Sequence, residues 1–261
     1  MPRINFLIGG VQKAGTTALA RYLERHPDIA LPAAKEAHVF DAPDYDECWS
    51  PEQVDACFAG AFVDDKAARC VGDATPITLF HRRFVERVLR YNPAMRWVVL
   101  LRDPVQRAIS HYHMQRARGA EPLPLLAALL AEPWRLRRHR EDFSRESPLR
   151  HQSYMSRGRY GAQLDALYAH FPREQVMLLR SDELASDPST SVARVLGFLG
   201  LSGTSAVADF PRHFEGNYAS PPPWSPSRLW IRWCLRHDLA AVRDSYGIDW
   251  RPQRPSPGKA G

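Results

Sequence analysis

Six consecutive residues, Gln12-Lys13-Ala14-Gly15-Thr16-Thr17, put a cation, a glycine and two hydroxyls side by side. Where a strand turns into a helix, that combination makes an anion cradle. The helix N-terminus offers unpaired N–H groups and the positive end of its dipole. Gly15 allows close approach of the backbone, Thr16 and Thr17 add donors, and Lys13 supplies a compact charge. The stretch departs from the nucleoside-triphosphate loop, G-x-x-x-x-G-K-[ST]. Gly10 and Gly15 keep that spacing, but Thr16 stands where the lysine belongs and Lys13 lies inside the loop.

A second anion site is written in Arg102-Asp103-Pro104-Val105-Gln106-Arg107-Ala108-Ile109-Ser110-His111-Tyr112. Arg102 follows the apolar run Trp97-Val98-Val99-Leu100-Leu101, so its guanidinium emerges where a buried strand ends. Arg107 and Ser110 are three apart on the following helix and share a face. Arg102 with Ser110 would grip a second phosphate at two points.

The two stretches together resemble the sulfotransferases that use 3′-phosphoadenosine 5′-phosphosulfate (PAPS), particularly the heparan-sulfate type and its bacterial relatives. In that family a loop Q/R-K-x-G-T-[TR] surrounds the 5′-phosphosulfate, and R-[DN]-P-x-x-R-x-x-S-x-Y holds the 3′-phosphate. Both patterns occur here in that order, and the resemblance extends more loosely over residues 4–250. It implies a P-loop-like fold, PAPS as donor, 3′,5′-adenosine bisphosphate (PAP) as product, no required metal, and a small-molecule or glycan acceptor.

The resemblance also distributes roles. Lys13 would stabilise the departing phosphate, while Ala14, Gly15, Thr16 and Thr17 hold it and Arg102 with Ser110 fixes the 3′-phosphate. Glu36, in Lys35-Glu36-Ala37-His38-Val39-Phe40-Asp41, matches an acidic residue found in patterns such as E-x-H-F-F, the base that takes the acceptor's proton. In extended chain His38 points to the same side as Glu36; it would orient Glu36, contact the acceptor, or serve as the base itself. Tyr160, in Gly158-Arg159-Tyr160-Gly161, resembles a position near the nucleotide. Two departures stand out. Asp73-Ala74-Thr75-Pro76 lacks the lysine of the E-K-T-P turn common in glycosaminoglycan members, and their late R-K-G phosphate clamp is absent, leaving Arg212 or Arg228 to cover for it. Both departures bear on a heparan-like acceptor and not on the donor.

The elements that must position these residues follow from punctuation and periodicity. Ile4 to Ile8 is an apolar run bounded by glycines and predicts a buried strand. Thr16 to Arg25 predicts a helix stopped by His26-Pro27. Ser50-Pro51-Glu52-Gln53 carries an N-cap serine, a first-turn proline and a capping-box glutamine. Further strands are expected at 69–73, 97–101 and 175–179, with helices at about 79–90, after Pro104, at 161–171, at 188–199 capped by Asp187, and at 227–246. Strands alternating with helices predict one α/β domain over residues 1–250, with a mostly parallel sheet and ligands at the carboxyl ends of its strands. The arginine-rich stretch 119–158 reads as a helical surface insertion or lid, 202–227 as a long ordered loop, and 251–261 as a disordered tail.

Composition narrows the remaining classes. The chain of 261 residues is 44% hydrophobic with a formal charge of +6, and all but four of its 35 basic residues are arginine. The four cysteines form no C-x-x-C pair, which suggests free thiols in a reducing, cytoplasmic compartment. No run approaches the roughly 20 apolar residues of a membrane span. His111 and His113 have metal-like spacing, but residues two apart on a helix point in different directions. The arginines at 135–140 read as a solvated helix face, and the tryptophans between Trp224 and Trp233 as packing for the last helix. Oligomeric state leaves no mark on the sequence. A small-molecule kinase using Mg-ATP is the competing enzyme, with Asp103 as its magnesium ligand. A basic nucleic-acid-binding module is the non-enzymatic alternative, although no interleaving of aromatic and basic residues supports it.

Overall fold

The computed structural model describes residues 3–62, 67–201 and 218–250. The chain opens with strand β1 (Phe6–Leu7), which leads through the glycine loop into helix α1 (Thr16–Leu23). A two-residue strand, β2 (Ile29–Ala30), and helix α2 (Pro51–Ala59) follow. Ser50 and Gln53 form the expected capping box at α2, and such a cap contributes ~1 kcal/mol to a helix end. Strand β3 (Cys70–Asp73) then precedes helix α3 (Arg82–Tyr91). The helix expected at 79–90 divides here: Pro76–Leu79 is a separate 3₁₀ turn, and the helix proper starts after His81.

Strand β4 (Arg96–Leu101) runs into α4 (Pro104–Ala117), whose N-cap Asp103 accepts from the Gln106 N–H at 2.7 Å. After α5 (Leu125–Arg137), α6 (Pro148–His151) and α7 (Tyr160–Tyr168) comes strand β5 (Val176–Arg180). Helices α8 (Ser181–Ser186), α9 (Pro188–Phe198) and α10 (Pro226–Tyr246) complete the described chain. Neither β2 nor α8 has a periodic signal long enough to be read from sequence.

The strands form one parallel sheet in the order β2-β3-β1-β4-β5. Leu7 pairs with Asp73 on one side and with Trp97 on the other. The carboxyl ends of β3, β1 and β4 therefore lie side by side, and each ends in a polar stretch: Asp73-Ala74-Thr75, the glycine loop, and Arg102. The main core packs both faces of the sheet, with Phe6, Leu7 and Trp97 through Leu101 essentially inaccessible. A second apolar cluster joins α4 to α5 and α10 through Val105, Ile109, Leu129, Tyr154, Ile231 and Leu235. The 119–158 stretch is thus built into a core, not laid on the surface. Its carboxylates Glu121 and Glu132 are buried: Glu121 pairs with Arg135, and Glu132 accepts from the Met155 and Ser156 N–H groups.

The final helix differs from expectation at its aromatic face. Trp230 stacks on Trp233, but Trp233 is 56% and Trp224 75% exposed. The loop expected at 202–227 and the tail at 251–261 fall largely or wholly outside the described residues, as does Arg212. Among the described residues no helix is long and apolar enough to cross a membrane. All four cysteines are unpaired.

Candidate active site

A cleft of ≈ 2150 Å³ opens over the carboxyl ends of the strands, lined by the glycine loop, the 35–38 segment, the start of α4 and the 119–158 stretch. The loop reaches it by crossing β4. The Val11 N–H donates to the Leu100 carbonyl at 2.9 Å, and a Cβ on Gly10 would meet the Leu100 nitrogen at 2.0 Å. Only glycine allows that crossing. Gly15 then adopts φ +96° as the N-cap of α1, and no side chain caps the helix end. Gly15, Thr16 and Thr17 line the cleft, whereas Ala14 is fully buried and serves the loop through its backbone. Lys13 also lines the cleft, with φ +74°. Burial, followed by the nearby charges of Arg102, Arg118 and Lys35, pushes the ammonium pKa below its ordinary value. Lys13, Arg102 and Arg118 line the cleft together, and such a concentration of positive charge attracts an anion.

Arg102 and Ser110 both face the cleft, and Arg102 Nη1 donates to the Lys13 carbonyl at 2.9 Å. Arg107, on the same helical face as Ser110 in sequence, is instead wholly buried and donates through Nη2 to the Tyr154 carbonyl. Tyr160 is also fully buried and does not reach the cleft; its hydroxyl donates to the Arg102 carbonyl at 2.8 Å and its ring packs edge-on against Trp250. It supports Arg102 from behind. Arg228 also lines the cleft, donating to the Pro221 carbonyl at 2.8 Å and to Ser220 Oγ at 2.8 Å. Asp103 is occupied by capping α4, which weakens its case as a magnesium ligand.

The 35–41 segment faces the loop across the cleft. The end of β3 holds its backbone: the Ala37 N–H donates to Asp73 Oδ1 at 2.9 Å and the His38 N–H to Thr75 Oγ1 at 3.3 Å. Glu36 meets Lys35 Nζ at 2.5 Å and His38 Nε2 at 3.4 Å. Behind His38, Nδ1 lies 3.0 Å from Asp41 Oδ2, and Asp41 is paired in turn with Arg150 at 2.5 Å. Hydrogen bonds to Asp41 and then Glu36, together with their charges, outweigh burial and raise the His38 pKa to about 10. The imidazole is therefore charged at neutral pH and donates from both nitrogens. Burial pushes Glu36 upward, but His38 and Lys35 outweigh it and hold the carboxyl below its ordinary range.

Three contributors went unassigned in the sequence. Asp41 and Arg150 complete the chain behind His38. Arg157, almost fully buried, donates to Gln12 Oε1 at 3.3 Å and to the Arg150 carbonyl at 3.1 Å, so it links the glycine loop to the 119–158 stretch. Asp41 had a faint signal, lying three residues after a histidine beside a candidate base. Arg150 and Arg157 had none, because they sit among many arginines of equal standing.

Comparison with known proteins identifies the family and the fold. Residues 3–215 match the sulfotransferase domain family. Human heparan sulfate glucosamine 3-O-sulfotransferase 6 is 30% identical over 211 residues, 81% of this chain and 55% of that protein. Human heparan sulfate glucosamine 3-O-sulfotransferase 3B1 is 29% identical over 75% of this chain and 45% of its own length. The chain thus spans about half the length of these curated relatives. Among solved structures, a sulfotransferase from Alicyclobacillus acidocaldarius superposes with TM-score 0.76 at 30% identity, covering 95% of this chain and 98% of that one. The sulfotransferase domain of the Synechococcus PCC 7002 olefin synthase shares the fold with TM-score 0.56 at 14% identity.

Proposed function

This chain belongs to the sulfotransferase domain family, and on that footing we propose that it moves a sulfuryl group from PAPS to a hydroxyl or amine of a carbohydrate or small-molecule acceptor. The observation that carries the donor assignment is the joining of two cationic anion sites, the Lys13 loop and Arg102, by one hydrogen bond at the ends of adjacent strands. A nucleotide phosphorylated at both ends of its ribose needs two such sites; a nucleoside triphosphate needs one, with a metal.

The residues present suit that donor. The uncapped N-terminus of α1 with Thr16 and Thr17 would hold the 5′-phosphate, and Lys13 would stabilise the charge that grows on its bridging oxygen as the S–O bond breaks. Arg102 and Ser110 would fix the 3′-phosphate, with Arg228 as a further cation of the same cleft. In the acceptor half, His38 is held as an imidazolium and has no free lone pair, so Glu36 is the base and His38 orients it. Asp41 and Glu36 keep His38 in that state, and Arg150 anchors Asp41. The reaction then depends on alignment and leaving-group stabilisation, with no step that requires a metal.

The curated relatives act on heparan sulfate glucosamine, which favours a glycan acceptor here. Arg145, Arg150 and His151 from the 119–158 stretch line the same cleft as Glu36, and acceptor specificity would reside there. Unpaired cysteines support a reducing compartment such as the cytoplasm.

Calorimetric titration with PAP against ADP tests the donor without knowledge of the acceptor. PAP is expected to bind at least about tenfold more tightly, a difference of about 1.4 kcal/mol. Equal affinities, or ATP consumption that depends on magnesium, would instead support the kinase.

A further inference from the structure

One side chain spans the gap between the donor loop and the base. Lys35 Nζ stands 3.4 Å from Thr16 Oγ1 and 2.5 Å from Glu36 Oε1. Thr16 begins the helix whose N-terminus faces the donor, and Glu36 faces the acceptor. The ammonium therefore sits beside the line along which a group would pass from one to the other.

Two independent observations distinguish this contact from an ordinary surface ion pair. Among the described residues, the non-glycine residues with positive φ are Lys13 (+74°), Lys35 (+68°) and His38 (+55°), and all three line the cleft. A left-handed backbone at a residue with a Cβ costs about 1–3 kcal/mol, and it persists where surrounding structure enforces it. Here the enforcement is visible: the Ala74 N–H donates to the Lys35 carbonyl at 3.3 Å, one residue along from the Asp73 bond to Ala37. Second, a chain that uses arginine for nearly every basic position has lysine at both Lys13 and Lys35. An ammonium is a compact point charge on a flexible stem, able to move between neighbouring anions, whereas a guanidinium is a rigid planar fork.

We propose that Lys35 is a catalytic residue of the sulfuryl transfer: its ammonium moves from Glu36 to the non-bridging sulfuryl oxygens when the donor binds, and so frees Glu36 to act. This rests on the sulfotransferase assignment. In the step itself the acceptor oxygen forms a bond to sulfur, and the bond from sulfur to the bridging oxygen breaks. The electron pair of that bond stays on the 5′-phosphate, giving PAP. The acceptor's proton passes to Glu36. With Lys35 on the carboxylate, Glu36 is a weak base; once the cation has moved, its basicity rises as the acceptor is about to lose its proton. The charged groups around Glu36 are Lys35 and His38 on its own segment, with Asp41 behind His38, and Arg157 from the turn before α7.

The test compares wild type with Lys35→Met and Lys35→Arg. PAP affinity is read by calorimetry, and PAP release from PAPS is followed across pH with a glucosamine-containing oligosaccharide or water as acceptor. PAP carries no sulfuryl group, so Lys35→Met is expected to bind it within about twofold of wild type. Its kcat should fall about 100-fold, the scale of losing one charge-stabilising donor. The acid limb of its kcat/KM profile should move to higher pH, because Glu36 loses a cation that held it down. Lys35→Arg should restore part of the rate. Wild-type turnover by Lys35→Met would overturn the proposal alone, as would a parallel loss of PAP affinity and rate with an unmoved acid limb. A wild-type protein that prefers ADP to PAP would remove the donor assignment, and this proposal with it.

Discussion

Arg102 donates a 2.9 Å hydrogen bond to the carbonyl oxygen of Lys13, 89 residues earlier in the chain. The bond uses one of the five guanidinium N–H donors and fixes the loop that carries the lysine, while Arg102 lines the cleft. Tyr160 holds Arg102 in place through its carbonyl. Arg102→Ala is therefore expected to lose a phosphate contact and loosen the loop together, weakening PAP at least about tenfold, the loss of one charged hydrogen-bonding group. Calorimetry that returned wild-type affinity would rule out the contact.

Lys13→Ala should separate binding from chemistry. Interactions stronger in the transition state than in the ground state act on kcat. A fall of about 10²–10³ in kcat with only a few-fold change in the KM for PAPS is expected, and initial-rate kinetics over a range of PAPS concentrations would show it. An unchanged rate would take Lys13 out of the mechanism.

His38 makes stability depend on pH in a definite direction. Its folded pKa, about 10, lies above its unfolded value of about 6.5. A group raised in this way contributes its full stabilisation below the unfolded pKa and loses it as pH rises through the folded pKa. The Tm difference between wild type and His38→Gln should be largest near pH 6 and shrink as pH approaches 10. A difference that grew with pH would show that the imidazole is held neutral.

Asp41→Asn removes the charge behind His38 and leaves Arg150 facing a neutral amide where the wild-type carboxylate has no exposed surface. Breaking a buried ion pair from one side costs about 3–5 kcal/mol, so a marked drop in Tm is expected. In protein that remains folded, the His38 resonance followed by NMR should titrate well below its wild-type midpoint. An unmoved midpoint would mean that Glu36 alone sets the charge of His38.

Gly10→Ala tests the loop crossing. The added Cβ would fall 2.0 Å from the backbone nitrogen of Leu100, which no rotamer change relieves. Overpacking of this kind costs about 1–3 kcal/mol, and displacement of the loop should also reduce PAP affinity. Thermal melts and calorimetry on the same sample would report both.

Much of the fold was written locally. The capping box at Ser50 and Gln53, the Asp103 and Asp187 caps and the apolar run ending at Leu101 each specify an element through neighbours a few residues away. They place helices and strands where the structure has them. The short elements β2 and α8 escaped because two to six residues carry too little periodicity. The loop at 12–17 and the residue after β4 were legible for the same reason, since strand-to-helix turns put their side chains at the carboxyl ends of the strands whatever the rest of the chain does.

What sequence alone determined, then, is two polar strand-to-helix turns that carry Lys13 and Arg102 and a carboxylate near the first helix, because those depend on short-range geometry. Only the tertiary structure decided that Tyr160 and Arg107 turn into the core while Ser110 faces the cleft. It also decided that Asp41 and Arg150, 109 residues apart, meet behind His38 and that Lys35 bridges Thr16 to Glu36. Charge state and orientation of a buried side chain depend on which distant groups surround it, and a linear sequence does not record that arrangement.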